Sequence, residues 1–257
     1  MSTVDLDLDV AVPTCRVGFI EPLNKIDLLP YEFYRLAPDY ALASLISIGL
    51  QGLAPEDARA AVADGRAEAC IEDLLRRKIS FVCLNGVPLG LNLGSTFCRD
   101  FVTMCRERYD LDSCVSLDAA VEAFRALGAT RPVAVNKWNS ALNVLLKEAL
   151  AEQDIDLVGT QAVDWDTKQG QGAIDRGITT AASLVEKALA EHPDADSIYL
   201  VGGAWLMLPL IRPLEEKFGI PVVAGLQSKI WYALNRANGF VEKPEYGQLM
   251  NIRLGSH

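Results

Sequence analysis

The chain has 257 residues, half of them hydrophobic and 23% charged, a composition that is typical of globular proteins and excludes wholesale disorder. Its 24 lysines and arginines against 34 aspartates and glutamates give a net charge of −10, and no basic run interrupts this excess. We therefore predict that the protein does not bind nucleic acid. The length fits one large domain or two small ones.

The sequence also predicts the environment of the protein. It contains no uncharged apolar stretch of about 18 residues, so we expect no membrane span. The N-terminus, MSTVDLDLDV, is acidic rather than basic and therefore does not resemble a signal peptide. The six cysteines include no CxxC pair, which favours reduced thiols and a cytoplasmic location. With only two histidines, there is no HExxH zinc motif.

Short apolar runs alternate with longer helical patterns along the chain. Seven predicted strands are rich in Val, Ile and Phe and bounded by turn residues: 16–20, 80–84, 113–116, 132–135, 157–161, 197–201 and 222–225. The helical patterns between them cover 55–77, 117–127, 141–152, 178–191 and 206–218. This alternation predicts an α/β fold with buried, parallel sheets.

The chain also repeats itself loosely. The segments RVGFIEPLN and RPVAVNKWN begin 115 residues apart, at positions 16 and 131, and FVCLNG at 81–86 has a counterpart in YLVGG at 199–203. The repeat predicts two similar units, each with a parallel four-stranded sheet, related by a pseudo-twofold axis. Ligands of such sheets bind outside the carboxyl ends of the strands. We therefore expect a cleft between the two sets of strand ends.

Charged residues stand at two matching strand ends. Glu21 ends the first strand, and Lys137 ends the corresponding strand of the second unit. They could form an acid/base pair, or Lys137 could bind a substrate carboxylate. The alternative is an ordinary salt bridge between loops.

Amides, indoles and glycines follow the same strand ends. Four asparagines could bind carboxylate oxygens or simply cap loops: Asn24, Asn85, Asn136 and Asn139. Trp138 and Trp205 could wall a pocket or pack at an interface. Gly202-Gly203, followed by Ala204, would expose N–H groups at a helix start to an anion, or form a bare turn. In GVPLGLNLG, Pro88 favours a loop at the start of the segment.

Several longer segments resemble a known group of enzymes, namely RLAPDYALASL, APEDA, FVCLNG, EAFRALGATRPVAV, IWYALNRANG and the GIPVV that follows EEKF. They are similar to the aspartate/glutamate racemase superfamily, and resemble its arylmalonate decarboxylases more than its maleate cis-trans isomerases. The resemblance extends from Arg16 to Met250. It implies two flavodoxin-like lobes with the active site between them.

The resemblance sets expectations for domains and ligands. The first lobe would comprise residues 15–127 plus 226–257, and the second 128–225, after an acidic tail at 1–14. Enzymes of this group need no metal or cofactor, and the implied ligand is a small carboxylic acid. Assembly into a homo-oligomer is left open.

The chain departs from the family at the residues that perform chemistry. Racemases place a cysteine at each facing strand end, and the decarboxylases keep only the second. Here Gly86 stands at the first position and Gly202 at the second. Val87 and Pro88 replace two hydroxyl residues of the decarboxylases, and Trp138 replaces a tyrosine. The usual thiol chemistry is therefore excluded at these positions.

Three residues could replace the missing thiols, namely Glu21, Lys137 and Cys83. Cys83 reaches the first cysteine position only through a three-residue shift of the alignment, and its alternative is a buried core cysteine. The remaining expected ligand contacts are Asn24, Asn85, Gly86, Val87, Asn136, Trp138, Gly202, Gly203 and Ala204. Three functions stay open: a cofactor-independent lyase or isomerase, a hydrolase or hydratase with Glu21 as base, and a non-catalytic carboxylate-binding protein.

Overall fold

Strands and helices alternate through both halves of the chain in a computed structural model that describes residues 13–24, 28–163, 170–202 and 205–255. The first half contains β1 (Cys15–Leu23), α1 (Leu29–Leu36), β2 (Ala41–Leu50), α2 (Pro55–Ala63), α3 (Arg66–Arg76), β3 (Phe81–Leu84), α4 (Val87–Tyr109), β4 (Asp112–Val115) and α5 (Ser116–Leu127). The second half contains β5 (Pro132–Asn136), α6 (Ser140–Ala151), β6 (Gly159–Ala162), α7 (Gly170–Glu191), β7 (Ser197–Leu200), α8 (Leu208–Phe218), β8 (Val222–Ala224) and α9 (Gly225–Arg236). Two short 3-10 helices close the chain, Pro244–Tyr246 and Gln248–Asn251.

The strands form two separate four-stranded sheets with the same topology. Their orders are β2-β1-β3-β4 and β6-β5-β7-β8, and the paired strands are parallel. The prediction of two parallel α/β units is thus confirmed. Because β1 and β5 are central, their carboxyl ends lie beside those of β3 and β7, and these are the positions that the repeat matched.

Two elements differ from the sequence prediction. The strand β2 was missed because its Ala, Ser and Gly residues weaken the strand pattern. It pairs in parallel with β1 from Cys15 to Leu23, at the edge of the first sheet. The predicted helix 55–77 is two helices, because Gly65 adopts a left-handed φ of +69° and separates α2 from α3.

Two helices near the predicted site, α4 and α8, also begin at positions other than those predicted. Pro88 does not produce a loop, because it lies in the first turn of α4, where its missing N–H has no helical partner to lose. The expected helix start directly after Gly203 is wrong, since α8 begins only at Leu208. Gly203 and Ala204 themselves lie outside the described residues, as does most of the acidic tail, 1–12.

One hydrophobic core joins the two sheets. Buried residues of both sheets and of α5 and α9 belong to a single cluster, in which Phe81 and Cys83 lie in the first sheet and Val133 and Tyr199 in the second. The helix α5 follows the first sheet yet contacts β8, while α9 follows the second sheet and contacts β1 and β3. The two lobes therefore share a core and are not merely tethered.

The last described residues of the chain are fastened to α8 and α9. Glu215 in α8 is buried, and its carboxylate accepts N–H bonds from Val222 at 3.1 Å and Gln248 at 2.9 Å. Trp231 in α9 donates from Nε1 to the Ile252 carbonyl at 2.7 Å. Side chains of α8 and α9 thus hold the closing segment by backbone contacts.

Two further observations concern the cysteines and the length of the apolar helices. All six cysteines are free thiols, and all but Cys98 are buried. Among the residues that the structure describes, no helix combines the length and apolar character needed to cross a membrane.

Candidate functional site

The carboxyl ends of β1 and β3 bring Glu21 and Asn85 together. Ile20 lies opposite Leu84 in the sheet, and the Asn85 backbone N–H continues the ladder to the Ile20 carbonyl at 2.8 Å. The Asn85 side chain is fully buried, and its Nδ2 donates to Oε1 of the partly exposed Glu21. Its Oδ1 is buried and accepts no hydrogen bond from any residue in the described ranges. This strand end therefore holds a carboxylate, beside a buried amide oxygen that lacks a donor.

Gly86, which follows directly, is closed to a side chain. Its φ is +96°, and a Cβ there would lie 3.0 Å from Pro22 Cγ and 3.3 Å from Leu89 Cβ. Both the backbone conformation and the contacts favour glycine. Val87 is buried as the first residue of α4. Thus Gly86 cannot take a side chain without local displacement.

The second lobe uses its two asparagines to build the loop after β5. The buried Asn136 accepts the Trp138 N–H at 2.9 Å and donates from Nδ2 to Asn143 Oδ1 at 2.7 Å. Asn139 caps α6 by accepting the Leu142 N–H at 3.0 Å. Both amides therefore behave as loop-capping groups, which argues against the ligand contact expected of Asn136.

This loop carries Lys137 across the end of β7. The Cε atom of Lys137 lies 3.8 Å from the position that a Cβ on Gly202 would occupy, and its Nζ lies 5.9 Å from the ring centroid of Trp205. Trp205 is fully buried, so its ring supports the lysine stem and attracts the ammonium. A lysine stem thus lies beside Gly202 at the end of β7.

The other predicted site residues do not lie beside Lys137 and Gly202. Cys83 has no exposed surface and lies opposite Cys114 in the core, where burial and a hydrogen bond of the Cys114 thiol to Cys83 raise the pKa of Cys114 well above its usual value. The catalytic role expected of Cys83 therefore lacks access to a substrate. Asn24 is exposed near Gly49 at the outer edge of the first sheet, and Trp138 is half-buried against the core.

A cavity of about 440 Å³ adjoins Gly86, and sequence reasoning did not identify it. We call it the α4–α6 cavity, because it lies between α4, the start of α5, and α6. Its polar lining residues are Ser95, Cys98, Arg99, Thr103, Ser116, Asp118, Glu148, Glu152 and Gln153. In the sequence, Asp118 looks like an ordinary first-turn acid of a helix, so only the packing of three helices reveals it.

Metal ligands are not grouped anywhere in the described part of the chain, where no three His, Cys, Asp or Glu side chains come together as a candidate site. The chemistry available at the strand ends is therefore that of a carboxylate, amides, an ammonium group and backbone N–H groups.

Comparison with known proteins identifies the family. A family model described as arylmalonate decarboxylase matches residues 17–250. The arylmalonate decarboxylase of Bordetella bronchiseptica is 27% identical over 242 residues, which cover 93% of this chain and 97% of that protein. The sulfate-associated structure of a cysteine mutant of arylmalonate decarboxylase has a TM-score of 0.81 and 26% identity, covering 92% of this chain and all of that one.

The likeness to a second protein, which is less similar in sequence, shows the fold alone. The maleate cis-trans isomerase of Nocardia farcinica, solved with a covalently bound succinylcysteine intermediate, has a TM-score of 0.76 and 21% identity, covering 92% of this chain and 98% of that one. The family-model match across nearly the whole chain decides the assignment. With its two parallel sheets and the strand-end positions described above, the chain belongs to the arylmalonate decarboxylase family.

Proposed function

We propose that the protein is a cofactor-independent decarboxylase or isomerase of a small carboxylic acid, and that Lys137 replaces the second family cysteine. The short distance between the Lys137 stem and the position of a Cβ on Gly202 carries this proposal. The lysine stem lies within 3.8 Å of the point where a cysteine side chain would begin. An ammonium group there could reach the same reacting carbon as the missing thiol.

A lysine is suited to this place for two reasons. Its ammonium is a compact charge with three donors, so it can bind a carboxylate and transfer a proton. The protein carries a net charge of −10, so an anionic substrate needs local positive charge in the cleft.

In the decarboxylation, the bond between the α-carbon and one carboxylate breaks, and carbon dioxide leaves. The bonding electron pair remains on the α-carbon and delocalises into the second carboxylate as an enediolate. Backbone N–H groups at the start of α4, after Gly86, would stabilise the enediolate oxygens. Lys137 then donates a proton to the carbon and regains one from water.

Glu21 supports an alternative function. The amide of Asn85 donates to its carboxylate and would orient it as a base. Such a base could activate water for addition to an unsaturated acid, or for hydrolysis. The products distinguish the two reactions, because hydration adds the elements of water while decarboxylation releases carbon dioxide.

The test is incubation of the purified protein with phenylmalonate and with maleate in D2O, followed by NMR. Phenylmalonate should yield phenylacetate with deuterium at the α-carbon. Replacing Lys137→Met should lower kcat by about 100-fold or more, the usual effect of losing a proton donor, and Lys137→Arg should recover little of it.

The matched control is Lys147→Met, which removes an exposed lysine from α6 in the same lobe. It should leave turnover unchanged. Full activity in Lys137→Met would refute the assigned role. Binding of phenylmalonate by calorimetry without any turnover would instead support the non-catalytic carboxylate-binding function.

A further inference from the structure

The α4–α6 cavity has a shape and a charge pattern that the proposed reaction does not use. It shares Gly86 and Val87 with the surroundings of the strand ends, but Glu21, Asn85, Lys137 and Gly202 do not line it. Its volume of about 440 Å³ lies within the range of roughly 300–1,000 Å³ that is usual for small-molecule sites. The cavity is therefore large enough for a ligand of its own.

The walls of the cavity are mainly apolar. Leu91 and Val102 of α4, Val121 of α5 and Leu145 of α6 face it from three sides, and Leu84 and Val115 close it at the ends of two strands. An apolar body of one or two rings would remove these surfaces from water.

The polar lining is predominantly acidic. Asp118, Glu148 and Glu152 contribute three carboxyl groups, against the single guanidinium of Arg99. None of these four residues forms an ion pair within the described parts of the chain. With all four ionised, the residues that line the cavity carry a net charge of −2.

Asp118, in the first turn of α5, lines the cavity. Its side chain accepts one hydrogen bond, from the Val115 N–H at 3.4 Å, and its remaining surface is open to the cavity rather than covered by protein. Partial desolvation raises the pKa of Asp118 above its usual value, and Glu122 adds to this effect, while the Val115 N–H and Arg125 oppose it. Because the Asp118 side chain is exposed toward the cavity, a cation bound there could donate a charge-assisted hydrogen bond to its carboxylate.

From these observations we infer that the α4–α6 cavity binds a small organic cation, specifically a protonated amine on an apolar ring system. The ring would pack between α4, α5 and α6, and the ammonium would face Asp118, with Glu148 and Glu152 at the rim.

A series of three indoles tests the charge requirement by calorimetry. Tryptamine is protonated at neutral pH, tryptophol is its neutral analogue, and indole-3-propionate is an anion of similar size. Tryptamine should bind with one site, and tryptophol should bind at least about 10-fold more weakly, because a charge-assisted hydrogen bond is lost. Indole-3-propionate should not occupy this cavity.

Cys98 offers a readout of position. It lines the cavity and is the cysteine with exposed surface, whereas the other five are buried. Enclosure raises its pKa to about 11, so its alkylation by a maleimide will be slow but measurable by mass spectrometry. Saturating tryptamine should slow this modification by at least about 5-fold, and Cys98→Ser should abolish the labelled species.

Two sets of variants identify the carboxyls. Asp118→Asn should weaken tryptamine binding by about 10-fold, and Glu148→Gln with Glu152→Gln should weaken it by a smaller factor. Because Glu148 and Glu152 are exposed, their variants should fold, and the test remains valid even if Asp118→Asn does not fold. Glu107→Gln is the control, because Glu107 is an exposed carboxylate of α4 that does not line the cavity.

The inference fails if tryptamine does not bind, if it leaves Cys98 labelling unchanged, or if indole-3-propionate protects Cys98 equally well. It also fails if Asp118→Asn and the rim variants bind tryptamine as tightly as the original chain.

Discussion

The two lobes end their central strands with the same kind of residue but leave different amounts of space beside it. Gly86 in the first lobe is enclosed, with Pro22 only 3.0 Å from the position of a Cβ. Gly202 in the second lobe meets only the Lys137 stem, at 3.8 Å, among its described neighbours. A functional group can therefore be accommodated at one strand end and not at the other. This asymmetry favours a site that acts on one face of its substrate.

The largest expected effect comes from filling the enclosed end. Gly86→Ala should destabilise the fold by about 3–5 kcal/mol, because left-handed strain adds to the close contact with Pro22. Gly202→Ala should cost about 1–3 kcal/mol, since its φ of +140° is also unfavourable but the space is open. Urea unfolding of both variants measures the difference, and equal losses would contradict the asymmetry.

A thiol at the open end should rescue activity. In the Lys137→Met background, adding Gly202→Cys should raise phenylmalonate decarboxylation at least about 10-fold, because a proton donor returns to the same place. Gly202→Ser in that background serves as the control for the change in backbone and volume. If the cysteine variant is no more active than the serine variant, the reacting carbon does not lie beside Gly202.

The two buried asparagines at the strand ends, Asn136 and Asn85, should differ less in their effect on stability. Asn136→Ala should lower the free energy of unfolding by about 2–3 kcal/mol, since its side chain accepts the Trp138 N–H and donates to Asn143 of α6. Asn85→Ala should cost only about 1 kcal/mol, because it also removes a buried oxygen that lacks a donor. Thermal unfolding at fixed pH compares them, and a larger loss in Asn85→Ala would mean that its Oδ1 has a partner such as bound water.

The smallest expected effect depends on pH. Because the pKa of Asp118 is raised in the folded state, its carboxyl stabilises the fold below its unfolded pKa, and that contribution is lost as pH rises through the folded pKa. Asp118→Asn should therefore raise the melting temperature slightly near neutral pH, and the gain should vanish in acid. A gain that is independent of pH would assign the effect to packing instead.

Strand periodicity and the internal repeat were sufficient to predict both parallel sheets, because buried strands are apolar and bounded by turn residues. They did not reveal β2, because the Ala, Ser and Gly residues of its ALASLISIGL segment weaken the strand pattern. They also misplaced the start of α8, since the residues after Gly202 gave no capping signal.

Reasoning about the site succeeded where a strand end fixes the backbone and failed where a side chain must be placed. Glu21 and Asn85 meet because their strands are neighbours. The contact of Lys137 with Gly202 depends on where a long stem lies, and the internal bonds of Asn136 depend on Asn143 in the next helix. Neither distance is encoded in local sequence.

The crossing of α5 and α9 has a consequence for how the molecule loses its structure. Each sheet is partly covered by the helix into which the other sheet's last strand leads, and Arg236 of α9 pairs with Asp112 of β4 at 2.6 Å. Unfolding one lobe would strip apolar surface from the other. A repeat that reads as two halves in sequence therefore makes a single cooperative unit, and neither half, expressed by itself, would retain the helix that covers its sheet.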